Sequence, residues 1–279
     1  MGLEAKPSPF FKALAHQNDL LAEHLSRVAQ RAEALVAGCD AEIRQTAFLA
    51  GLFHDAGKAT VFFQEYLAGR EKKSQRTAHA AVSAALFWAL SSTIRFNDSS
   101  TAYKIRLGAF LSILRHHGYL RAPWHEELQL LRLDVSVITE QLSSMDLPGI
   151  AGWFSEKAIE HGFQLGSPPP EGVDEVLKVF RRGSTMGPPI RDAYPNLAAA
   201  VDFLTGFGAL LSEDKLDTAL VGGEIKRIVL PKMVVERFVQ NRFGEERTDL
   251  DRMRSKISDE VREQILANSN CAHLTLTAP

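Results

Sequence analysis

The strongest constraint on the fold is a run of apolar residues at helical spacing near the start of the chain. Between residues 19 and 37 they recur every three or four positions: Leu21, Leu25, Val28, Ala32, Leu35 and Val36. This spacing is typical of an amphipathic helix with one buried face, and Asn18 or Asp19 could cap it. Three further helices are predicted over 40–55, 77–90 and 102–117. Because β-branched alternation is scarce and no Asn-Gly or Asp-Gly hairpin signal occurs there, the sequence predicts an all-α fold.

The helical pattern weakens from residue 123 to residue 196. Short helical stretches at 126–133 and 174–181 are separated there by the motifs SPPPEG and MGPP. We interpret this segment as surface connections or an insertion. Regular helix resumes at Leu197 and continues until Gly222 and Gly223 end it. The sequence therefore predicts one helical domain over residues 1–222.

A second unit is expected over residues 223–279. A charged linker comes first. An amphipathic helix follows, with apolar positions at Met253, Ile257, Val261 and Ile265. The segment ends in CAHLTLTAP, an apolar, threonine-rich strand pattern without a turn or a partner strand. We interpret these residues as the first elements of another domain.

Composition limits the function classes that are open to the chain. Of the 279 residues, 45% are hydrophobic and 24% are charged, which is the balance of a folded globular protein. The 32 basic and 34 acidic residues give a net charge of −2, so attraction to nucleic acid would require a local patch, a bound metal or a partner domain. Cys39 and Cys271 form no CxxC motif, which argues against a zinc ribbon. Without a signal peptide or a membrane span, we expect a cytoplasmic protein with no membrane partner.

His54 and Asp55 form a His-Asp pair in LAGLFHDAGK, where a helix is predicted to end beside Gly57. Adjacent residues project about 100° apart on a helix, but at a helix C-terminus both side chains can reach one ion. Taken alone, the His-Asp dipeptide could instead have a purely structural role.

Four other histidines are predicted to point inward or to lie at a helix end. His24 and His79 share apolar stripes with leucine and valine residues, and His116 and His117 follow the apolar run AFLSIL. Each one alone could be a core histidine bonded to a backbone carbonyl. Together they are hard to satisfy without a metal, because an unpaired buried polar group costs about 1 to 3 kcal/mol.

A carboxylate on the last predicted helix completes the set. Asp214 lies one turn after Leu210 and Leu211, which mark that face as buried, and a buried carboxylate needs a cation. Asp217 is one turn further on and could be the ligand instead, although we interpret it as a solvated or capping residue.

The ordered pattern of His, His-Asp, His, His-His and Asp on a helical chain resembles the HD phosphohydrolase superfamily. LAGLFHDAGKATVFFQEYL, with Lys58 three residues after Asp55, is followed later by RHHG. Together these motifs are similar to the HD nuclease domain of the CRISPR-associated Cas3 proteins of type I systems. The resemblance covers about residues 15–222 and implies an HD-domain helical bundle.

The resemblance also implies a role for each residue. One metal ion would be held by His24, His54, Asp55 and Asp214. A second would be held or approached by Asp55, His79, His116 and His117, with Asp55 bridging. Asp55 and Lys58 would be the catalytic residues, and Lys58 would neutralise a phosphate oxygen. Alternatively, Lys58 is a solvated lysine at a helix end. Imidazole-rich ligation favours Mn, Ni, Co, Fe or Zn over Mg, and Mn or Ni is usual in the family.

The implied activity is cleavage of single-stranded DNA in CRISPR type I interference, by endonucleolytic nicking followed by 3′ to 5′ degradation. The implied partners are single-stranded DNA, the helicase domain of the same full-length protein and the crRNA-guided surveillance complex (Cascade). LTLTAP is similar to the residues just before the TGxGKT loop of a superfamily 2 helicase, and no GxxxxGK[ST] occurs in the chain. We therefore expect residues 223–279 to be the edge of a truncated helicase domain without an ATP site.

Two other functions stay open at this point. An HD-type nucleotide phosphohydrolase or phosphodiesterase would use the same ligands beside a closed pocket, where a nuclease needs an open groove. A catalytically silent docking module would use the histidines to pack or to bind a structural metal, with partner contacts in the 123–196 segment. The LTLTAP ending favours the nuclease over the nucleotide enzyme.

Overall fold

The structure is a computed structural model that describes residues 8–118, 120, 133–186 and 197–220, together with the single residues 252 and 256. The chain divides into two compact units, 1–223 and 224–279, and nearly all the described residues belong to the first. The helix predicted at 126–133 falls outside the described residues except for its last position. The linker, helix and LTLTAP strand predicted after Gly223 also lie outside them, apart from the two single residues.

The described residues are mostly helical, which confirms the all-α prediction. In chain order the elements are β1 (Leu14–His16), β2 (Asp19–Leu20), α1 (Leu21–Leu35), α2 (Ala41–Phe53), α3 (Val61–Leu67), α4 (Ala80–Ser91), β3 (Ile94–Arg95), α5 (Ser99–Arg115), α6 (Val135–Ser143), α7 (Leu147–Glu160), β4 (Gln164–Leu165), α8 (Val173–Met186) and α9 (Leu197–Leu220). The strands form two short antiparallel pairs, β1 with β2 and β3 with β4. No helix in this described part is long and apolar enough to cross a membrane.

The helices predicted before residue 120 are all present, with small shifts at their ends. The first begins at Leu21, directly after the β1–β2 hairpin, and it buries Leu25, Val28 and Ala32 of the predicted stripe. Leu35 of that stripe is 58% exposed, and the N-cap is Leu20, so neither Asn18 nor Asp19 caps the helix. The fourth begins at Ser99 rather than 102, because the Asp98 side chain accepts a hydrogen bond from the backbone N–H of Thr101 and caps the helix there.

Helix α2 lies at the centre of the domain and packs against α1, α5 and α9. Every residue from Thr46 to Phe53 is buried, so no polar face remains on this half of the helix. Gly51 permits the close approach to α1, since a Cβ atom at this position would lie 2.6 Å from the Cα of Ala29. The carboxyl end of α2 is therefore held rigidly beside α1.

The 123–196 segment differs from its interpretation as surface connections or an insertion. Its described part, 133–186, contains α6, α7 and α8, and apolar residues of all three belong to the main core. These buried side chains include Ile138, Leu142, Ile150, Trp153, Phe154 and Phe180. These helices are integral to the domain, because the core would lose much of its apolar lining without them.

Candidate metal centre

Helix ends deliver most of the predicted ligands to one region. His54 is the C-cap of α2, and Asp55 precedes a 3₁₀ turn at Ala56–Ala59. His79 precedes α4, and His116 follows α5. Side chains at helix ends can turn toward a common point, which explains how separate helices bring these groups together. The remaining predicted ligands are His24 inside α1, His117 after His116, and Asp214 inside α9.

All the predicted ligands fall into two groups that share Asp55. The first group contains His24, His54, Asp55 and Asp214. The second contains Asp55, His79, His116 and His117. Within each group one ligand atom from every residue lies within 4.8 Å of the others. The resemblance drawn from the sequence implied this same grouping, and either group could hold a metal ion.

The first group has the spacing of donors around one cation. His24 Nε2 lies 3.2 Å from His54 Nε2, and these nitrogens lie 3.4 and 3.5 Å from Asp55 Oδ2. Asp214 Oδ1 lies 3.2 Å from His54 Nε2 and 3.7 Å from His24 Nε2. Ligand atoms about 2.1 Å from one ion are roughly 3.0 to 3.4 Å apart. The observed separations are close to this range.

The second group lies on the other oxygen of the same carboxylate. Asp55 Oδ1 lies 2.8 Å from His79 Nε2 and 3.2 Å from His116 Nε2. His117 Nε2 lies 2.8 Å from His79 Nε2. His117 is exposed, whereas His79 and His116 are buried. The second group is therefore the one that opens toward solvent.

Hydrogen bonds on the far side of three imidazole rings fix which nitrogen faces the cluster. His54 Nδ1 lies 2.8 Å from the carbonyl of Gly51, and His116 Nδ1 lies 2.6 Å from the carbonyl of Ile113. A carbonyl only accepts, so both rings carry a proton on Nδ1 and present Nε2 to the cluster. His24 Nδ1 donates in the same way to Asp217 Oδ2 at 2.8 Å. Metal-ligating histidines are usually anchored like this.

The donor set fits a divalent cation. Nε2 of His24 and Nε2 of His54 face each other at 3.2 Å, and a pair of lone pairs at this distance is repulsive unless a proton or a cation lies between them. Burial lowers the pKa of His24, but hydrogen bonds to Asp217 and Asp55 outweigh burial and raise it to about 9. A proton on His24 thus satisfies the metal-free protein, and a bound cation would replace that proton.

The shared carboxylate is ionised. Burial alone would raise the pKa of Asp55, yet the nearby His54, His79 and Lys58, together with the hydrogen bond to His116, hold it well below its ordinary value. Burial likewise opposes ionisation of Asp214, but the hydrogen bond to His54 lowers its pKa. Both carboxylates can therefore act as anionic ligands at neutral pH.

Two histidines of the second group, His79 and His117, are biased toward the neutral form that a metal requires. Although His117 is exposed, partial burial of its ring, followed by the proximity of His116 and His79, lowers its pKa to about 4. Burial is also the main cause of the lowered pKa of His79, against the opposing effect of Asp55. His117 therefore keeps a lone pair on one ring nitrogen at neutral pH, and the pKa of His79 is shifted in the same direction.

Lys58 is not the solvated lysine that we considered as its alternative role. It is 5% exposed, and its Nζ lies 2.6 Å from Asp55 Oδ2. The same ammonium donates to the backbone carbonyl of Ala15 at 3.2 Å and lies 5.4 Å from the centre of the Phe63 ring. A lysine is thus the fixed cation nearest to the shared carboxylate.

Asp217 is neither solvated nor a cap, which corrects the sequence interpretation. Its side chain is 2% exposed and accepts hydrogen bonds from His24, Arg27 and Arg31. Arg27 Nη2 also donates to both oxygens of Asp19, at 2.8 and 2.9 Å. Asp19, His24 and Asp217 could by their spacing form a third metal-binding group, but the Arg27 guanidinium already bonds both of its carboxylates.

These arginines were missed in the sequence, although a signal was present. Arg27 and Arg31 follow His24 by three and seven residues, so all three lie on one face of α1. A buried histidine with two arginines on its own helix face indicates a carboxylate partner on another element. Spacing alone could not show that these arginines bond Asp217 on α9 and, for Arg27, Asp19 on β2.

The aromatic residues after the His-Asp motif divide between core and surface. Phe63 is 8% exposed and contacts the ring of His79 at 5.2 Å between centroids. Phe62 is partly exposed beneath the guanidinium of Arg76, and Tyr66 is 39% exposed. Packing beside the cluster is therefore the role of Phe63, whereas Tyr66 presents a ring to solvent.

Comparisons with known proteins do not assign the chain to a family. No family model, no curated protein and no solved structure matches the chain.

Proposed function

We propose that the chain is a metal-dependent phosphodiesterase that cleaves single-stranded DNA, as the HD nuclease domain of a Cas3-type protein in CRISPR type I interference. The observation that carries this proposal is the position of Asp55. Its Oδ2 faces His24 and His54, and its Oδ1 faces the histidines of the second group. One carboxylate between two donor sets is the arrangement that a pair of cations requires.

The donor set favours a transition metal over Mg²⁺. Five of the donors in the two groups are imidazoles and two are carboxylates. Mg²⁺ prefers oxygen ligands, whereas imidazole suits the later first-row metals, so Mn²⁺ or Ni²⁺ is the proposed cofactor, with Co²⁺, Fe²⁺ or Zn²⁺ as substitutes. Bound divalent cations supply Lewis-acid polarisation of a phosphoryl group and a water that ionises near neutral pH.

The chain's own residues would orient the reaction. Asp55 and Asp214 supply the negative charge that holds cations, and the anchored rings of His54 and His116 fix the directions of their lone pairs. Lys58 lies beside the shared carboxylate and carries the positive charge closest to an incoming phosphate. Exposure of His117 makes the second group the side on which a polynucleotide enters.

The substrate is proposed from phosphate chemistry and from charge. A net charge of −2 gives the chain no long-range attraction for DNA, so the cluster must bind phosphate locally. We propose that the helicase domain of the full-length protein and the crRNA-guided surveillance complex bring the single strand to it. Tyr66 is a candidate stacking platform for a base, because its ring is exposed on α3 and packs edge-on against Phe63.

The deciding experiment is cleavage of circular single-stranded DNA by the purified chain in Mn²⁺, Ni²⁺, Mg²⁺ or EDTA. Linear products from the wild type, absent in EDTA and absent from Asp55→Asn, are expected. Asp202→Asn is a matched control, since it makes the same chemical change at an exposed position on α9 and should cleave like the wild type.

Other outcomes would redirect the proposal. A panel of nucleotides and cyclic nucleotides run alongside would identify a nucleotide phosphohydrolase if the circle stays intact and a nucleotide is hydrolysed. Metal binding without turnover of any substrate would instead favour the catalytically silent docking module. Equal cleavage by Asp55→Asn and the wild type would exclude the site.

A further inference from the structure

Asp217 is bonded to a candidate ligand without being a ligand itself. Its Oδ2 accepts the Nδ1 proton of His24 at 2.8 Å, on the side of the ring that faces away from the cluster. The opposite nitrogen, Nε2, is the one that lies among His54, Asp55 and Asp214. With the proton fixed on Nδ1, the lone pair of Nε2 has to point into the first group.

The carboxylate of Asp217 is itself held in place. Arg27 Nε donates to Oδ1 at 3.0 Å, Arg27 Nη2 donates to Oδ2 at 2.8 Å, and Arg31 Nη1 donates to Oδ1 at 2.9 Å. Asp19 bonds the other side of the Arg27 guanidinium. We call Asp19, Arg27, Arg31 and Asp217 the charged network. Every oxygen of Asp217 is occupied, so neither oxygen is available to a cation.

The charged network also fixes a second candidate ligand. Asp214 and Asp217 lie three residues apart on α9, which places them on neighbouring faces of one helix. When Arg27 and Arg31 of α1 hold Asp217, they fix the depth and the rotation of α9 against α1. The position of Asp214 Oδ1, 3.2 Å from His54 Nε2, depends on that contact.

We propose that Asp217 is the positioning residue of the first group. It sets the tautomer and direction of His24 and, through the charged network, the location of Asp214. This inference rests on the proposed metal-dependent function. Loss of a carboxylate behind a ligating histidine typically lowers metal affinity by about 10- to 100-fold. The effect should therefore appear in binding of the metal before any substrate is added.

The test is the affinity of the full chain for Mn²⁺, measured for wild type, Asp217→Asn and Asp202→Asn. Asp217→Asn should bind Mn²⁺ about 10- to 100-fold more weakly. Asp202→Asn removes the same charge from an exposed position on the same helix, outside the charged network, so its affinity should stay near that of the wild type. The visible absorption of the Co²⁺-loaded protein should change in Asp217→Asn alone, since a tilted His24 alters the ligand field.

A second measurement uses the wild type and does not depend on whether a variant folds. In the Zn²⁺-loaded protein, ¹⁵N-labelled histidine spectra should show His24 protonated on Nδ1, with a hydrogen-bonded proton at low field. Protonation of Nε2 in that state would overturn the proposal.

The outcomes separate this inference from the proposed function. If the wild type binds no divalent metal, the proposed function fails. If the wild type binds Mn²⁺ and Asp217→Asn binds it equally well with an unchanged Co²⁺ spectrum, only the role of Asp217 fails. Equal loss in Asp217→Asn and Asp202→Asn would also overturn it, because the effect would then come from net charge.

Discussion

Lys58 Nζ lies 2.6 Å from Asp55 Oδ2, the carboxylate oxygen that also faces His24 and His54. The ammonium is buried, so it balances the charge of Asp55 at short range and in a medium of low dielectric constant. A cation entering the first group would bind the same oxygen. Lysine and metal therefore compete for one carboxylate, and this competition can be measured.

Replacing Lys58 by methionine should destabilise the metal-free protein and strengthen its binding of metal. Removing one partner of a buried ion pair costs about 3 to 5 kcal/mol, so the free energy of unfolding in EDTA should fall by that order. Saturating Mn²⁺ should restore most of the loss, because it neutralises Asp55 in place of the ammonium. Chemical denaturation with and without Mn²⁺ measures both effects.

Although it binds metal more strongly, the Lys58→Met variant should cleave DNA less well than the wild type, because the positive charge nearest to the phosphate is gone. Lys12→Met is the control, because Lys12 is exposed and its loss should change stability by less than about 0.5 kcal/mol. Unchanged stability of Lys58→Met in EDTA would show that the Asp55 charge is balanced by the imidazoles alone.

Asp55 and Asp214 should differ in how much metal their loss removes. Asp55 belongs to both groups, whereas Asp214 belongs to the first only. Elemental analysis after dialysis should therefore show loss of both ions from Asp55→Asn and retention of the second-group ion by Asp214→Asn. Cleavage should fall below detection in the first variant. Identical metal content in the two variants would argue against a bridging carboxylate.

The sequence was sufficient to find the candidate ligands because each one breaks a helical pattern at a recognisable place. His24 occupies a position on an apolar stripe, and His54 and His116 lie where apolar helices end before glycine. A polar residue at such a position must be buried, and burial demands a partner. The pairing of ligands into two groups was supplied by the family resemblance, and the distances agree with it.

The sequence was not sufficient where two residues satisfy the same pattern. Asp214 and Asp217 both follow the apolar Leu210 and Leu211 by about one or two turns, and both turn inward. Only the packing of α9 on α1 decides that Asp214 reaches His54 while Asp217 reaches Arg27 and Arg31. Spacing along one helix carries no information about the depth at which another helix docks.

The helices between residues 135 and 160 were missed for a different reason. α6 has nine residues and α7 begins with Leu-Pro-Gly, so each apolar stripe is short or interrupted near its start. Asp146 caps α7 by accepting a hydrogen bond from the backbone N–H of Gly149, and Ser8 bonds the other oxygen of its carboxylate. That contact joins distant parts of the chain, which local periodicity cannot reveal.

Metal affinity should rise with pH over the range in which His24 loses its proton. The pKa of His24 is raised from 6.5 to about 9 in the metal-free protein. Protonated His24 thus stabilises the folded chain fully below pH 6.5, and this contribution is lost as the pH rises through 9. A cation at Nε2 displaces the proton, so the affinity for Ni²⁺ should increase by about tenfold per pH unit between these values.

Isothermal titration in buffers of different ionisation enthalpy counts the proton released on binding. Thermal unfolding in EDTA should show stability that declines from pH 6.5 toward pH 9, and the shift in Tm caused by Ni²⁺ should widen over the same interval. A Ni²⁺ affinity that does not change with pH would mean that His24 is neutral before the metal arrives.

Gly51 should couple helix packing to the metal centre. A Cβ atom there would lie 2.6 Å from Ala29 Cα and 2.8 Å from Ala29 N, both backbone atoms that cannot move aside. Gly51→Ala should therefore push α1 from α2, lowering the free energy of unfolding by about 1 to 3 kcal/mol. Since His24 is on α1 and His54 caps α2, the affinity for Mn²⁺ should fall as well.

Gly152→Ala in α7 is the matched control, because no atom lies within 4 Å of its Cβ position and helix propensity alone should stabilise it by roughly 0.5 to 1 kcal/mol. Denaturation curves and Mn²⁺ titrations of both variants measure the difference, and a Gly51→Ala protein with wild-type stability and affinity would show that the two helices can separate without disturbing the ligands.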